Sequence, residues 1–372
     1  GGAAERWGTS PQASPLALAP SPHLDDLARH GRVLGVRLLE NEAQVATVAP
    51  QLALLGLDPA THETAPASYL GHVAGESLKE EERFCCADFI SLFRDDVADV
   101  EPGPLREAES DALLKLAAAE IQRAGFRLVK VGQSHHVAVA PAASIDPALP
   151  PTYCLQGRRY PDLEPAREQH AFAHKLARDA LERHEINEVR RDLGGNGWDA
   201  LWLWGPGRPV EVEGRDENQV VSAHGSHPLW RAVCTAAGVP LGYTSGSPAS
   251  LLREVDKSLR RADVVWIYLR RGERDAYLRE MTLRAYGIAE IDKKVVGPLA
   301  DVVAKRKARL LVVPDAAWST EEGVPSADPV PALIWGKGID SLRTLPFHEE
   351  GAAMAGEPVA PGYGLIDYVR SL

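Results

Sequence analysis

The sequence predicts an α/β sandwich in which helices cover both faces of a mostly parallel β-sheet. Four apolar runs are too short for buried helices and have the continuous hydrophobic pattern of strands that are covered on both sides. Helical stretches separate several of these runs, and parallel strands need such long connections. The runs occupy residues 198–204, 262–269, 308–313 and 330–335.

The length of the chain and the positions of proline predict two domains. The chain has 372 residues, 45% of them hydrophobic, and a typical domain contains about 100–200 residues. Between Pro-rich stretches at 101–104 and 141–151 lies an amphipathic helix, 107–124, followed by paired strands at 126–131 and 136–139. We therefore predict a first core segment at 1–100, an inserted α/β domain at 101–164 and a second core segment at 165–372.

A short helix is predicted near the beginning of the chain, at residues 21–31. Ser21 is a suitable N-cap, Pro22 suits the first turn and Gly31 suits the end of a helix. A second helix, at 166–184, is expected to lead from the insertion back into the core.

Composition excludes several classes of partner. The formal net charge of −11 argues against a nucleic-acid partner, because an acidic surface repels phosphate backbones. No apolar run approaches the roughly 18–20 residues that span a bilayer, so we expect a cytoplasmic protein without membrane contact. Adjacent Cys85 and Cys86 point to opposite faces of a strand, and the cysteines lack the spacing of a zinc site.

Seven segments, spread in order over nearly the whole chain, carry a family resemblance. They are GGAAERW, SPHLDDLARHG, VATVAPQLALLGLDP, HEINEVR, WLWGPGRP, ADVVWIYLRRGERDAY and LLVVPDAAWSTEEGVPSADPVPALIWG. They are similar to the segments DGxADRP, TPNLDxLAxxG, GSDVAxLSLLGYDP, HPVNxxR, WLWGxGxxP, DFVYVHVxAPDEAGH and DHSTP…H…DPVPxLIxG. The chain thus resembles the cofactor-independent phosphoglycerate mutases, archaeal-type branch, of the alkaline phosphatase superfamily. The resemblance implies an alkaline-phosphatase-like α/β/α sandwich with a smaller inserted α/β domain.

The resemblance also implies a site at the strand ends with two divalent cations, typically manganese or zinc. There a serine accepts the phosphoryl group of a phosphoglycerate, and the metals activate that serine. The positions that match the ligands of the two cations are Gly1, Thr47, Asp315 and Ala316, and Glu273, Tyr277 and Pro325. Glycine, alanine and proline side chains cannot coordinate a metal, so we expect no metal cofactor. Thr47, Asp315 and Glu273 are the residual candidates.

The positions that match the family's substrate-binding residues are altered as well. Cys86 and Asp88 stand where the family's RCNLVT segment has arginine and asparagine, and loss of guanidinium groups removes bidentate phosphate recognition. His135 and His136 replace a tyrosine and an arginine, and as strand neighbours they point to opposite faces. Asn187 and Arg190, in HEINEVR, survive and are the substrate-binding candidates.

Each candidate residue has a structural alternative. Thr47, at the nucleophile position, is either a phosphoryl acceptor or a threonine whose hydroxyl caps a helix. Asp315 and Glu273 are either metal ligands or, respectively, a structural hydrogen-bond acceptor and a member of a surface ion-pair cluster. Several arginines either converge on an anion or are dispersed surface charge. They are Arg190, Arg191, Arg270, Arg271 and Arg274.

Three functional hypotheses follow. The leading one is a phosphoglycerate mutase-like pseudoenzyme that binds a small phosphorylated or carboxylate metabolite, or a protein partner, with Tyr277, Trp318 and Pro325 filling the old site. The alternative is an active 2,3-bisphosphoglycerate-independent phosphoglycerate mutase, or a related metal-dependent phosphotransferase or phosphatase, that uses Thr47, Asp315 and Glu273 with manganese or zinc. The third is a structural subunit. In the family a strand precedes the opening turn, and without it we expect two neighbouring strands to lack a partner.

Overall fold

The computed structural model describes residues 3–7, 14–132, 135–211, 219–243, 246–270 and 272–372, without the side chains of 272–274. The described strands are β1 (Ala4–Glu5), β2 (Arg32–Val36), β3 (Glu82–Phe93), β4 (Asp96–Asp99), β5 (Arg127–Lys130), β6 (His135–Pro141), β7 (Ala200–Gly207), β8 (Val221–His224), β9 (Val264–Ile267), β10 (Arg309–Val312), β11 (Ala317–Ser319), β12 (Val324–Ser326) and β13 (Val330–Gly336).

The helices alternate with the strands along much of the chain. They are α1 (Pro15–Leu18), α2 (Pro22–His30), α3 (Ala49–Leu54), α4 (Pro66–Val73), α5 (Glu107–Gln122), α6 (Glu168–Leu181), α7 (Glu185–Asp192), α8 (Pro228–Ala236), α9 (Pro248–Ser258), α10 (Gly272–Tyr277), α11 (Met281–Ile291), α12 (Gly297–Arg306), α13 (Glu349–Met354) and α14 (Leu365–Ser371). None of the helices within the described residues has both the length and the apolar character needed to cross a membrane.

The chain divides into two compact units. The larger unit combines Gly1–His62 with Val212–Leu372, and the smaller unit is Glu63–Glu211. The boundaries that the sequence analysis placed at 101 and 164 both lie inside the smaller unit. The reason is strand pairing, because β3 begins at Glu82 and pairs with β6 on one side and β7 on the other. The long apolar run of β7 therefore belongs to the smaller unit's sheet.

In the larger unit the strand pairs are mixed, whereas a mostly parallel sheet was expected. β13 pairs antiparallel with both β10 and β2, while β8 and β9 are parallel, as are β1 and β11. Apolar side chains of these strands pack against the helices in one core, in which Val36, Leu333 and Ile334 are buried. The α/β character follows the predicted pattern, and the pairing direction differs.

Strands β9 and β10 of the larger unit each have one strand neighbour within the described residues. β9 pairs with β8, and β10 pairs with β13. Between β9 and β10 lies an apolar cavity of about 460 Å³, which Ala3 also lines. The side chains that line the cavity are mostly aliphatic, so the space between the two strands is apolar.

The smaller unit is an antiparallel sheet in the order β4–β3–β6–β5, with β7 also paired to β3. Helices α5 and α6 pack on it, and their apolar faces form a core with Leu113, Leu176 and Leu201. Helix α5 and strands β5 and β6 occur where the sequence analysis placed a helix and paired strands.

Helix α2 occurs at its predicted position with Ser21 as its N-cap residue, but the Ser21 side chain does not cap the helix. The hydroxyl of Ser21 donates to the carbonyl of Ala19 instead. The carboxylate of buried Asp292 accepts the backbone N–H groups of His23 and Leu24, at 3.2 and 2.8 Å. Asp292 thus satisfies N–H groups that a helix start leaves without intrahelical partners.

Candidate functional site

Thr47, at the matched nucleophile position, lies just before α3. Its Oγ1 donates to the carbonyl of Gln44 at 2.5 Å and accepts the backbone N–H of Ala49 at 3.1 Å. Ala49 is the first residue of α3, so the hydroxyl satisfies one of the N–H groups at the helix start. In this geometry the hydroxyl proton is directed to a carbonyl, and the oxygen serves the helix.

Asp315 lies three residues after β10, at the carboxyl end of that strand. It is 8% exposed, and its Oδ2 accepts a hydrogen bond of 2.7 Å from the hydroxyl of Tyr268. The ring of Tyr268 stacks on Trp230, with the ring centroids 5.4 Å apart. An aromatic pair therefore holds the phenol that contacts Asp315. Tyr268 was not among the candidates, because only the fold brings the end of β9 next to the segment after β10.

Two further matched ligand positions, Tyr277 and Pro325, lie around the β11–β12 hairpin together with Trp318. Trp318 of β11 faces Pro325 of β12 as a cross-strand pair, and Trp318 is buried. Tyr277, at the end of α10, is buried, and its carbonyl lies within 3.2 Å of the position that a Cβ on Gly323 would occupy. These are bulky or ring-shaped side chains at positions where the resemblance implies small or ligating ones.

The donor atoms at the described positions do not fit a two-cation site. Ala316 and Pro325 have no donor side chain, and the hydroxyl of Thr47 is committed to Gln44 and Ala49. Among the described residues, no group of three or more His, Cys, Asp or Glu side chains is placed to hold a metal ion. Gly1 and the side chain of Glu273 lie outside the described part of the chain.

The two substrate-binding candidates lie in the smaller unit and both contact backbone. Asn187 is fully buried, donates to the carbonyls of Leu181 and Trp198, and accepts the N–H of Trp198. It therefore ties α7 to the chain that enters β7. Arg190 donates from Nε to the carbonyl of Asn196 at 2.7 Å, and its other nitrogens face the carbonyls of residues 103 and 104. A substrate role for either residue stays a prediction.

The sequence left open whether several arginines converge on an anion or are dispersed surface charge, and the structure describes the contacts of Arg190 and Arg191. Arg191 pairs with the buried carboxylate of Asp199 at 2.6 Å, so its charge is already partnered. Arg270 follows β9, whereas Arg271 and the side chain of Arg274 lie outside the described residues. Arg190 and Arg191 thus have structural contacts of their own.

A buried polar cluster surrounds Asp88 on β3, at a position that the resemblance matches to an asparagine of the family. Asp88 Oδ2 accepts from the hydroxyl of Thr152 at 2.5 Å and from the indole N–H of Trp204 at 2.6 Å, and Oδ1 lies 3.3 Å from His135 Nδ1. Burial alone would raise the pKa of Asp88, but His135, Thr152 and Trp204 hold that pKa below its ordinary value. The carboxylate can therefore orient the imidazole of His135. The sequence did not point to Thr152, because it lies 64 residues from Asp88 along the chain.

The residues next to this cluster on the strands are buried and uncharged. His136 is 2% exposed and burial lowers its pKa to about 4, so its imidazole is neutral at physiological pH. Cys85 and Cys86 are buried free thiols whose pKa values burial raises. Trp202, in the apolar run at 198–204, is buried and donates its indole N–H to the carbonyl of Pro150.

Comparison with known sequences gives relatives with one activity. No family model matches the sequence. The chain is 25% identical over 374 residues to a 2,3-bisphosphoglycerate-independent phosphoglycerate mutase of Methanothrix thermoacetophila, covering 95% of this chain and 92% of the relative. It is 24% identical over 389 residues to the enzyme of the same name from Pyrococcus abyssi, covering 96% and 92%.

Comparison with solved structures shows the same fold. A protein from Pyrococcus horikoshii has a TM-score of 0.68 at 19% identity, covering 100% of this chain and 94% of the other. A cofactor-independent phosphoglycerate mutase from Thermoplasma acidophilum has a TM-score of 0.53 at 17% identity, covering 100% and 97%. The predicted alkaline-phosphatase-like α/β class is thereby confirmed.

Proposed function

We propose that this chain, a member of the archaeal-type 2,3-bisphosphoglycerate-independent phosphoglycerate mutase family, binds a small phosphorylated or carboxylate ligand without transferring a phosphoryl group. The membership rests on relatives matched over nearly the full length. The absence of transfer, and a protein partner as a second class of ligand, are our proposals.

The hydrogen bonds of Thr47 carry this proposal. A phosphoryl acceptor must present its oxygen to the phosphorus and give its proton to a base or a metal. The Thr47 hydroxyl instead donates to Gln44 and accepts from Ala49, so attack would require breaking both bonds. Asp315, the matched residue whose carboxylate the structure describes, receives a hydrogen bond from Tyr268. An Asp315 carboxylate held in that hydrogen bond is better suited to binding a substrate or stabilising the fold than to activating Thr47.

The relatives' chemistry, if present, would need manganese or zinc, and the described residues would contribute Thr47 Oγ1 and the Asp315 carboxylate. A divalent cation there would lower the pKa of the hydroxyl and neutralise phosphoryl oxygens. Two donor groups are fewer than the four or more that such cations take. Hence we expect binding without a resident metal.

Metal content and mutase activity test the proposal together. Protein purified without chelators is dialysed against manganese and zinc, its metal content is measured, and conversion of 3-phosphoglycerate is followed. We expect no stoichiometric metal and no conversion, with Thr47→Ala and the unmodified chain behaving alike. Two tightly held equivalents, with conversion that Thr47→Ala abolishes, would show that the proposal is wrong.

A second candidate is an active phosphoglycerate mutase or phosphatase with a remodelled site. The names of the relatives favour it, because the two described above are mutases and cover the chain almost completely. Asp315 has also kept its place after β10. This candidate predicts one or two metal equivalents that are lost in Asp315→Asn, together with activity on a phosphorylated substrate.

A further inference from the structure

A second polar region lies in the smaller unit, apart from the Asp88 cluster. It is a cavity of about 310 Å³ whose charged lining consists of Arg83, Arg167, Arg208 and Glu63. Three guanidinium groups and one carboxylate give it a net positive charge, in a chain whose formal net charge is −11. A positively charged cavity attracts small anions, whereas the acidic surface around it repels them.

Strand register places two of these arginines side by side. Phe84 of β3 pairs antiparallel with Gly207 of β7, the last residue of that strand. Arg83 precedes Phe84 and Arg208 follows Gly207, so the two arginines occupy the next opposed positions beyond the ladder. Like charges at opposed positions destabilise a sheet. An anion between the two guanidinium groups would remove that repulsion.

The three arginines differ in how they are held. Arg83 Nη1 donates to the carbonyls of Glu80 and Glu82, at 2.9 and 2.6 Å, which fixes one end of its guanidinium. Within the described part of the chain, Arg167 and Arg208 make no side-chain hydrogen bond and no ion pair. Asp146, which interacts electrostatically with Arg167, accepts backbone N–H groups of Ala148 and Ala166. Two arginines therefore have unused donors at one cavity.

The remaining polar groups of the lining define the rest of a ligand. Arg167 is the residue before α6, whose start has no side-chain cap, so the positive end of the helix dipole adds to the field. Glu63 Oε1 accepts the N–H groups of residues 64 and 65, which holds its carboxylate in place. A fixed carboxylate beside guanidinium groups can accept a ligand hydroxyl.

We propose that this cavity is a binding site for a small hydroxylated anion that carries a phosphate or carboxylate. Guanidinium groups bind both anions through paired N–H donors. A volume of about 310 Å³ is near the lower limit of small-molecule sites, which suits a ligand of a few carbon atoms. This site gives the proposed binding function a location and rests on that function for its biological use, while anion binding is measurable by itself.

Calorimetric titration with inorganic phosphate and with 3-phosphoglycerate tests the assignment, in the full chain without added metal. Arg208→Gln and Arg167→Gln change exposed side chains and are expected to weaken binding of both probes by about tenfold or more. Glu63→Gln is expected to tighten phosphate binding. Arg123→Gln is the matched control, since Arg123 is exposed on α5 and pairs with Glu120 away from the cavity.

The outcomes separate this site from the proposed function. Binding that Arg208→Gln weakens and that Thr47→Ala and Asp315→Asn leave unchanged supports the site, even if metal-dependent mutase activity is found. Binding that is equal in Arg208→Gln, Arg167→Gln and Arg123→Gln overturns it, as does the absence of heat with both probes. Thermal unfolding of each variant, without ligand, confirms that the fold is retained.

Discussion

Trp204 donates its indole N–H to the carboxylate of Asp88 over 2.6 Å, and this bond links β7 to β3 inside the smaller unit. The same carboxylate oxygen accepts the hydroxyl of Thr152. A buried carboxylate with charge-assisted bonds of this kind is stabilising as long as every partner remains. Substitutions in this cluster are therefore expected to lower the stability of the smaller unit.

Asp88→Asn is expected to destabilise the protein by about 3 kcal/mol. The amide removes the charge and brings its own N–H donors against the donors of Trp204 or Thr152. Urea unfolding followed by circular dichroism measures the change. Asp111→Asn, on an exposed residue that pairs with Lys130, is the control and is expected to cost less than about 0.5 kcal/mol. Equal effects of the two changes would contradict the buried geometry of Asp88.

Acid sensitivity is expected from His136. Its folded pKa is lowered to about 4, first by burial and then by the charge of His135, while its ordinary value is 6.5. Between these two values the unfolded chain binds more protons than the folded chain, so stability falls as the pH falls. For this single group the loss between about pH 7 and pH 5 is about 2 kcal/mol.

His136→Leu is expected to flatten the dependence of unfolding free energy on pH over that interval. The slope is not abolished, because burial also lowers the pKa of His170 to about 4. His72→Gln, at an exposed position of α4, is the control and should leave the slope as it is. Urea unfolding at several pH values gives the slope, and an unchanged slope in His136→Leu would refute the assignment.

Arg284 and Glu5 form a buried pair in the larger unit. Arg284 is fully buried, donates to Glu5 Oε2 at 2.7 Å and to the carbonyl of Ala4 at 2.8 Å, and also contacts the hydroxyl of Thr320. Removing one partner leaves an uncompensated buried charge, so Arg284→Leu is expected to cost about 3–5 kcal/mol.

The double change Arg284→Leu with Glu5→Leu is expected to recover part of that loss, because it removes both charges. A double-mutant cycle on unfolding free energies measures the coupling. The exposed pair Arg29 and Asp26 is the reference, with a coupling of at most about 0.5 kcal/mol. A coupling for the buried pair as small as that of the reference would mean that the pair is not desolvated.

The sequence predicted local elements well and long-range partners poorly. Pro22 and Gly31 marked the ends of α2 correctly, but the carboxylate that accepts its first N–H groups belongs to Asp292, which is 269 residues away from His23 and gave no local signal. The extent of the smaller unit depended on the pairing of β3 with β7, and hydrophobicity alone does not specify pairing. Trp202 is buried, as the apolar run at 198–204 indicates, because a continuous apolar run in a strand needs cover on both faces.

The candidate site divides in the same way. The sequence left two roles open for Thr47, a phosphoryl acceptor or a helix cap. Its hydrogen bonds to Gln44 and Ala49 are those of a helix cap. The cavity with Arg83, Arg167 and Arg208 was missed, because these arginines lie on three different elements and only the fold gathers them. Charges that converge from distant segments leave no spacing pattern in a sequence.

The gap between β9 and β10 yields the last prediction. Strand edges present N–H and C=O groups that bind an extended chain, and the walls of the gap carry apolar side chains such as Val265 and Leu311. Ala3 lies at the same cavity. Fusion of a segment of about six valine, isoleucine and leucine residues ahead of Ala3 is therefore expected to raise Tm by about 4 °C or more.

The same extension with two of its residues changed to proline is the matched control, because proline cannot donate to a ladder. Hydrogen exchange of the amides in β9 and β10 gives the location of the effect, and we expect slower exchange only with the proline-free extension. If both extensions give the same Tm and the same exchange rates, the added strand does not enter the gap. In that case the larger unit is stable without an added strand, because the packing of α2, α9 and α12 on the sheet is enough to keep β9 and β10 in place.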